Sequence, residues 1–126
     1  MIHTLTSAWT RTGETVSVSK EYTVEGEQNV DVEVPASTTN KEVNIDLDVS
    51  ELKTLMILSD VAVTIKTNSS GSPDDTLTVP ANTPVMWGND TGITCPLGTD
   101  VTKVYITNAT TGAATVKIRA GYDATP

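Results

Sequence analysis

The sequence predicts an all-β protein, an antiparallel β-sandwich or jelly-roll-like single domain with at most one short helical turn. Three observations carry this. Apolar and polar residues alternate with period two in several segments, most cleanly Val30-Asp31-Val32-Glu33-Val34 and Val43-Asn44-Ile45-Asp46-Leu47, as in a strand with one covered face. Clusters of Gly, Pro, Asn and Ser separate these segments. Thr and Val are abundant while Phe is absent, leaving two Trp and three Tyr as the large rings. That composition suits pleated, half-buried surface. With 126 residues the chain fits one domain, 1–126, able to hold a core without staples. Its ends, 1–4 and 122–126, are expected to be loose.

Taken in order, Leu5 to Arg11 is a first strand holding Trp9, Thr12-Gly13-Glu14 a turn, and Thr15 to Val24 a second strand with Val16, Val18, Tyr22 and Val24 on one face. Asn29 to Val34 and Glu42 to Val49 are two further strands. Paired as a hairpin with their apolar residues on one face, they would set Asp31 opposite Asp46, a like-charge pair costing roughly a few tenths of a kcal/mol or more. The loop Pro35 to Lys41 is long enough to cross between layers, so the expectation is that they belong to different sheets. Ser50 to Lys53 is the one helical candidate, with Ser50 as its cap.

The most apolar stretch, Leu52 to Asn68, divides at Ser59-Asp60. Leu55-Met56-Ile57-Leu58 reads as a strand covered on both faces, and Val61, Val63 and Ile65 alternate in the next. After the polar loop Asn68 to Asp75 come short strands at Thr76–Val79 and Val85–Trp87, separated by a turn with two prolines. An irregular stretch, Asn89 to Asp100, precedes the last two strands, Val101–Asn108 and Ala114–Gly121. Val63 to Asn68 faintly echoes Val104 to Asn108, and each looks like one arm of a hairpin.

Lys and Arg total 8 against 16 acidic residues, a net charge of −8. Such a chain repels nucleic acid and anionic lipid at long range, so neither is an expected partner. Most carboxylates precede Val61. They form either a solvated face or a surface for a basic or metal-bridged partner, with Asp31, Glu33, Asp46 and Asp48 as the candidates. Met1-Ile2-His3-Thr4 carries no basic segment leading into an apolar run, so no signal peptide is expected. No window approaches the ~20 apolar residues of a membrane helix. One cysteine, Cys95, excludes an internal disulfide framework, and assembly in a reducing cytoplasm is expected. Asn68, Asn89 and Asn108 each open a glycosylation pattern, read as chance in a Thr-rich chain.

Candidate chemistry is sparse. His3 is the only histidine, so a nucleophile–base pair has a single, badly placed base. Cys95 reads as a small apolar filler, no Cys/His spacing suits zinc, and no glycine-rich loop cradles a phosphate. No catalytic residue, cofactor or enzyme activity is expected. Asp74-Asp75 is a weak calcium candidate, since one loop with two carboxylates falls short of roughly 6–8 oxygen ligands. The alternative is a solvated turn in which the side chains bond backbone amides. The aromatics, Trp9, Trp87, Tyr22, Tyr105 and Tyr122, could form a sugar platform, but packing is their better use in so small a domain. Leu55, Met56 and Leu58 are either core or a subunit interface, because obligate interfaces resemble a core cut in half.

The segments Asp48 to Asp60, Val63 to Asn68, Pro73 to Thr76, Pro84 to Trp87, Val104 to Ala109 and Ala114 to Arg119 resemble a group of small proteins encoded beside capsid genes in tailed bacteriophages. The group looks like virion structural proteins, and the resemblance implies a head decoration (cement) protein. Such a protein assembles in the host cytoplasm, binds the major capsid protein on the outer capsid surface, stabilises the shell, and acts as a homo-oligomer with a homotrimer favoured. Another virion part (neck, tail or fibre module) and a jelly-roll carbohydrate-binding module are the alternatives.

Overall fold

The computed structural model describes residues 1–123. Ten strands run β1 (Ile2–Arg11), β2 (Glu14–Thr23), β3 (Gly26–Val34), β4 (Thr38–Leu47), β5 (Leu52–Ser59), β6 (Val63–Thr67), β7 (Thr76–Val79), β8 (Val85–Gly88), β9 (Val101–Asn108) and β10 (Ala114–Tyr122). The last eight form two four-stranded antiparallel sheets, β3-β10-β5-β8 and β4-β9-β6-β7. Their pairings nest about the β6–β7 turn: β6 with β7, β5 with β8, β4 with β9 and β3 with β10. A long hairpin rolled up in this way is a jelly roll. Strands β3 and β4 do lie in different sheets, as the Asp31–Asp46 repulsion suggests. In β3 the acid face is balanced instead by β10, where Asp31 stands opposite Lys117 and receives both bonds of the Arg119 Nη2 at 2.9 and 3.2 Å.

Period-two patterning becomes burial directly. Val34, Leu55, Ile57, Ile65, Val104, Ile106, Val116 and Ile118 meet between the sheets, and Trp87 closes one end of the core. Trp87 Nε1 donates to the Ile93 carbonyl at 2.7 Å, which satisfies its one donor. The helical candidate is a single 3₁₀ turn, Val49–Glu51, and its cap is Asp48 rather than Ser50. The Asp48 carboxylate lies one residue before the turn and accepts from the Ser50 amide at 3.0 Å, the geometry a cap requires.

The echo between Val63–Asn68 and Val104–Asn108 has a structural meaning, though a different one. The two strands are neighbours in one sheet. Only β6 enters a hairpin, while β9 is followed by a crossing to β10 in the other sheet. β9 ends on an asparagine, Asn108, and β6 is followed directly by one, Asn68, and each clasps loops. Asn68 Nδ2 donates to Asp74 Oδ2 and the Asp100 carbonyl, both at 2.7 Å, while its Oδ1 accepts from the Thr102 amide. Asn108 has no exposed surface. Its Nδ2 donates to the carbonyls of Val34, Pro35 and Gly112, and its Oδ1 accepts from the Thr110 amide and hydroxyl. A glycan on Asn108 is therefore excluded by packing.

The amino-terminal segment corrects the expectation of a loose 1–4. Ile2, His3 and Thr4 belong to β1, and β1 pairs with β2 over its whole length through the two-residue turn Thr12-Gly13, where Gly13 takes φ +87°. This ribbon is separate: neither of its strands pairs with a strand of the sandwich. At the other end Tyr122 closes β10 and the Asp123 amide donates to the Glu51 carbonyl. Residues 124–126, also expected to be loose, lie outside the described residues.

Candidate functional site

The ribbon of β1 and β2 is an arm whose two faces differ. Register places Leu5, Ser7 and Trp9 beside Lys20, Val18 and Val16 on one face. The opposite face carries Thr4, Thr6, Ala8 and Thr10 beside Glu21, Ser19, Ser17 and Thr15, with hydroxyl pairs Thr6–Ser19 at 2.8 Å and Thr10–Thr15 at 3.3 Å. An apolar face against a hydroxyl face is the pattern of a strand pair made to be covered on one side.

Only the foot of the arm is covered. It rests on the outer face of the β3-β10-β5-β8 sheet, and glycines allow the approach. A Cβ on Gly88 would clash with the buried Tyr22 ring, and one on Gly121 would stand 2.6 Å from both His3 Nδ1 and Thr54 Oγ1. The His3 imidazole bonds on both sides, Nδ1 with Thr54 Oγ1 at 2.7 Å and Nε2 with Glu27 Oε2 at 2.8 Å. That bond to His3 holds the Glu27 carboxyl below its usual range. Lys20 reaches Asp90 at 2.8 Å and lowers that carboxyl as well. The histidine thus ties the foot of the arm to β5 and β3.

Beyond the foot the apolar face continues uncovered. Trp9 is 56% exposed, Val16 57% and Val18 67%. This corrects the expectation of packing for Trp9, whereas Tyr22 and Trp87 are buried as expected; of the face shared by Val16, Val18, Tyr22 and Val24, only the Tyr22 and Val24 end is covered. A two-stranded ribbon is marginal by itself in water, and the apolar face of this one stands open. Below it the sheet offers a depression of about 330 Å³ lined by Leu5, Met56, Met86, Arg119, His3 and Glu27. A second groove, of about 190 Å³, runs between Val18, Tyr22, Met86 and Ile93.

The sequence-derived candidates distribute as follows. Leu55 is 1% exposed in the core and is corrected as an interface residue, because its side chain points between the sheets. Met56 and Leu58 face outward on the same strand and are half-buried, so this strand is not sealed on both faces. Asp31 and Glu33 lie on the outer face of β3, with Arg119 on Asp31. Asp46 is exposed on β4 and Asp48 caps the 3₁₀ turn. Two of the four acids thus lie on β3, one on β4 in the other sheet, and one in the cap between β4 and β5. Asp74 and Asp75 are engaged by Asn68 Nδ2 and the Gly98 amide, the capped-turn arrangement, and no metal-binding cluster of three or more His, Cys, Asp or Glu occurs among the described residues. Cys95 packs against the core, and burial raises its thiol pKa. Trp87, a candidate sugar ring, is enclosed.

Sequence reasoning missed the arm as a unit. Its signal was the alternation of Thr and Ser through both strands, opposite Leu5, Trp9, Val16 and Val18, around a two-residue glycine turn. No protein-family model, curated protein or solved structure matches the chain.

Proposed function

We propose that this chain is a virion decoration protein of a tailed bacteriophage, a cement protein that docks on the outer surface of the head, binds the major capsid protein and strengthens the shell without performing chemistry. One observation supports the reading above the others: a closed jelly roll holds out an arm with an uncovered apolar face, Trp9, Val16 and Val18. A closed core needs no further partner to be stable, so such an arm serves attachment. Jelly rolls occur in viral shells and in lectins alike, and the fold by itself does not choose between them. The resemblance of the central and later strands to virion structural proteins favours the shell. Affinity then comes from modest contacts multiplied by symmetry, and the acidity of the body keeps it off packaged nucleic acid.

Quantitative mass spectrometry of purified virions tests this. Hundreds of copies per particle are expected of a head protein on a symmetric shell. Absence from the particle, or about a dozen copies or fewer as in a neck, tail or fibre, overturns the cement reading. Binding to a glycan array that is lost in Trp9→Ser would move the assignment to carbohydrate recognition.

A further inference from the structure

We propose that the free edge of β1 binds an extended segment of another polypeptide, which adds a third strand to the ribbon and lowers one apolar side chain into the depression beside it. Pairing of this kind deepens the attachment reading, on which it rests for the source of the segment. It engages the strand edge rather than the open face of Trp9, Val16 and Val18. It is tested on the isolated chain with a synthetic peptide, so a failure here leaves attachment to the shell to be judged from virion composition.

The register fixes which backbone groups are free. Arg11 and Glu14 flank the two-residue turn, and at the other end the Val24 amide donates to the Met1 carbonyl at 2.9 Å. In an antiparallel pair, opposed residues alternate between exchanging both backbone bonds and exchanging none. His3, Leu5, Ser7 and Trp9 therefore bond across to β2, while Thr4, Thr6, Ala8 and Thr10 turn their N–H and C=O groups to the other side. The hydroxyl bonds Thr6–Ser19 and Thr10–Thr15 agree, because side chains stand closest where no backbone bonds are exchanged. No strand pairs with β1 on its outer side, and these four residues have no other backbone partner among the described residues.

The sandwich guards its edges and β1 does not. An open edge invites a further strand, and proteins blunt it with charge, bulges, proline or brevity. Here β3 carries Glu27, Asp31 and Glu33, β4 has two register shifts, and β7 and β8 have four residues each. In contrast, β1 runs ten residues in unbroken register, without proline and without a charged residue between His3 and Arg11. The edge of β2 is less open, since Lys20 there is held by Asp90.

Space for the segment lies beside this edge. The depression of about 330 Å³ is lined by Ile2 to Leu5, which point to both faces of β1, and by no residue of β2. It therefore flanks the free side of β1. Glu27, Asn29 and Arg119 stand across from that side, with Met56 and Met86 between. A strand set roughly 4.8 Å from β1 would run above this space, with the side chains on its Leu5 face pointing in. A cavity of about 150 Å³ admits a benzene ring, so one large apolar side chain fits, against methionines that adapt to its shape. Main-chain bonds then supply affinity and the depression supplies selectivity. Entry between the ribbon and the outer face of the sheet suits a tail or loop. A net charge of −8 favours a neutral or basic segment and opposes a second copy of the chain.

Amide exchange followed by NMR on the isolated chain, with acetyl-Lys-Thr-Val-Thr-Leu-Thr-Val-Thr-Lys-amide as the probe, tests this. Without peptide, Thr6, Ala8 and Thr10 are expected to exchange fast and Leu5, Ser7 and Trp9 slowly. With peptide at about ten times its Kd the first set should slow about tenfold, and that Kd should be about 1 mM or tighter. Thr6→Pro removes an outward N–H without touching the bonds to β2 and should abolish binding, with Ser7 and Trp9 still protected. Ser17→Pro makes the same change on the opposite edge and should leave binding unaltered. Methylating one alternate set of the peptide's own amide nitrogens should abolish binding, and methylating the other set should not. No protection at about 1 mM peptide, binding that survives Thr6→Pro, binding lost equally in Ser17→Pro, or two methylated sets that behave alike overturns the proposal. Outward amides already slow in the free chain at high dilution overturn it too, as does protection that rises with chain concentration alone, which would put a second copy on this edge.

Discussion

Replacing Asn108 by alanine should be among the most damaging single changes in this protein, although Asn108 lies far from the arm. The side chain has no exposed surface and makes five hydrogen bonds, three as donor and two as acceptor. Those bonds join the loop that carries the chain from β3 to β4 with the loop that carries it from β9 to β10, and both loops cross between the sheets. Each bond nets about 0.5–1.5 kcal/mol, and stranding buried carbonyls costs about 1–3 kcal/mol for each one left unpaired. A loss of about 3–5 kcal/mol follows, at the upper end for point substitutions. With a urea slope of roughly 2 kcal/mol/M, the midpoint should fall by about 1.5–2.5 M. Asn108→Asp is nearly isosteric and keeps the acceptor for Thr110, yet it sets a buried carboxylate against three carbonyl oxygens, so it should lose as much or more. Asn68→Gly is the contrast. Asn68 occupies φ +66°, which glycine adopts without strain, and its bonds lie nearer solvent, so a loss of about 1–2 kcal/mol is expected. A loss below about 1 kcal/mol for Asn108→Ala would refute the view that this clasp fixes the crossings.

Two other predictions concern the anchoring of the arm and the charge on the body. Gly121→Ala drives a methyl group into His3 and Thr54 and should cost about 1–3 kcal/mol, with faster amide exchange through Ile2–Leu5 as its local sign. Unchanged exchange there would show that His3 does not hold the foot. The Lys103–Glu42 pair should limit stability at both ends of the pH scale. Lys103 lowers the Glu42 carboxyl below its ordinary 4.5, so that contribution is complete above pH 4.5 and is lost as pH falls through the lowered value. Glu42 raises the Lys103 ammonium above its ordinary 10.5, so the same bond is complete below pH 10.5 and is lost as pH rises through the raised value. Glu42→Gln should flatten both limbs of a melting-temperature profile, modestly and less so in high salt because the pair is exposed. Limbs unaltered by Glu42→Gln would remove this pair as their cause.

The sandwich was legible because period-two alternation reports burial directly. Val30, Val32 and Val34, or Val116 and Ile118, can pack only if their faces turn inward, and the turn clusters bound the strands. Even the separation of β3 from β4 followed from charge, since Asp31 and Asp46 resist one another. The arm was less legible for a physical reason. Alternation announces that a face will be covered without saying by what, so Val16, Val18 and Trp9 read like core residues although the sandwich does not reach them. The depression depends on contacts that no spacing encodes. Leu5, Met56, Met86 and Arg119 converge from four strands, and the glycines that admit the foot, Gly88 and Gly121, are marked only by the rings set against them. Leu55 and Met56 are adjacent in one apolar run, and the pleat alone sends the first inward and the second out.

Hydrogen–deuterium exchange of this chain in purified virions, compared with the isolated chain at high dilution, bears on attachment most directly. Slowed exchange concentrated in Leu5–Arg11 and Glu14–Lys20, with the sandwich strands unaltered, is the predicted result. An arm that exchanges equally fast in both states, with new protection on the acidic strands around Asp46 or nowhere, would contradict attachment through the arm.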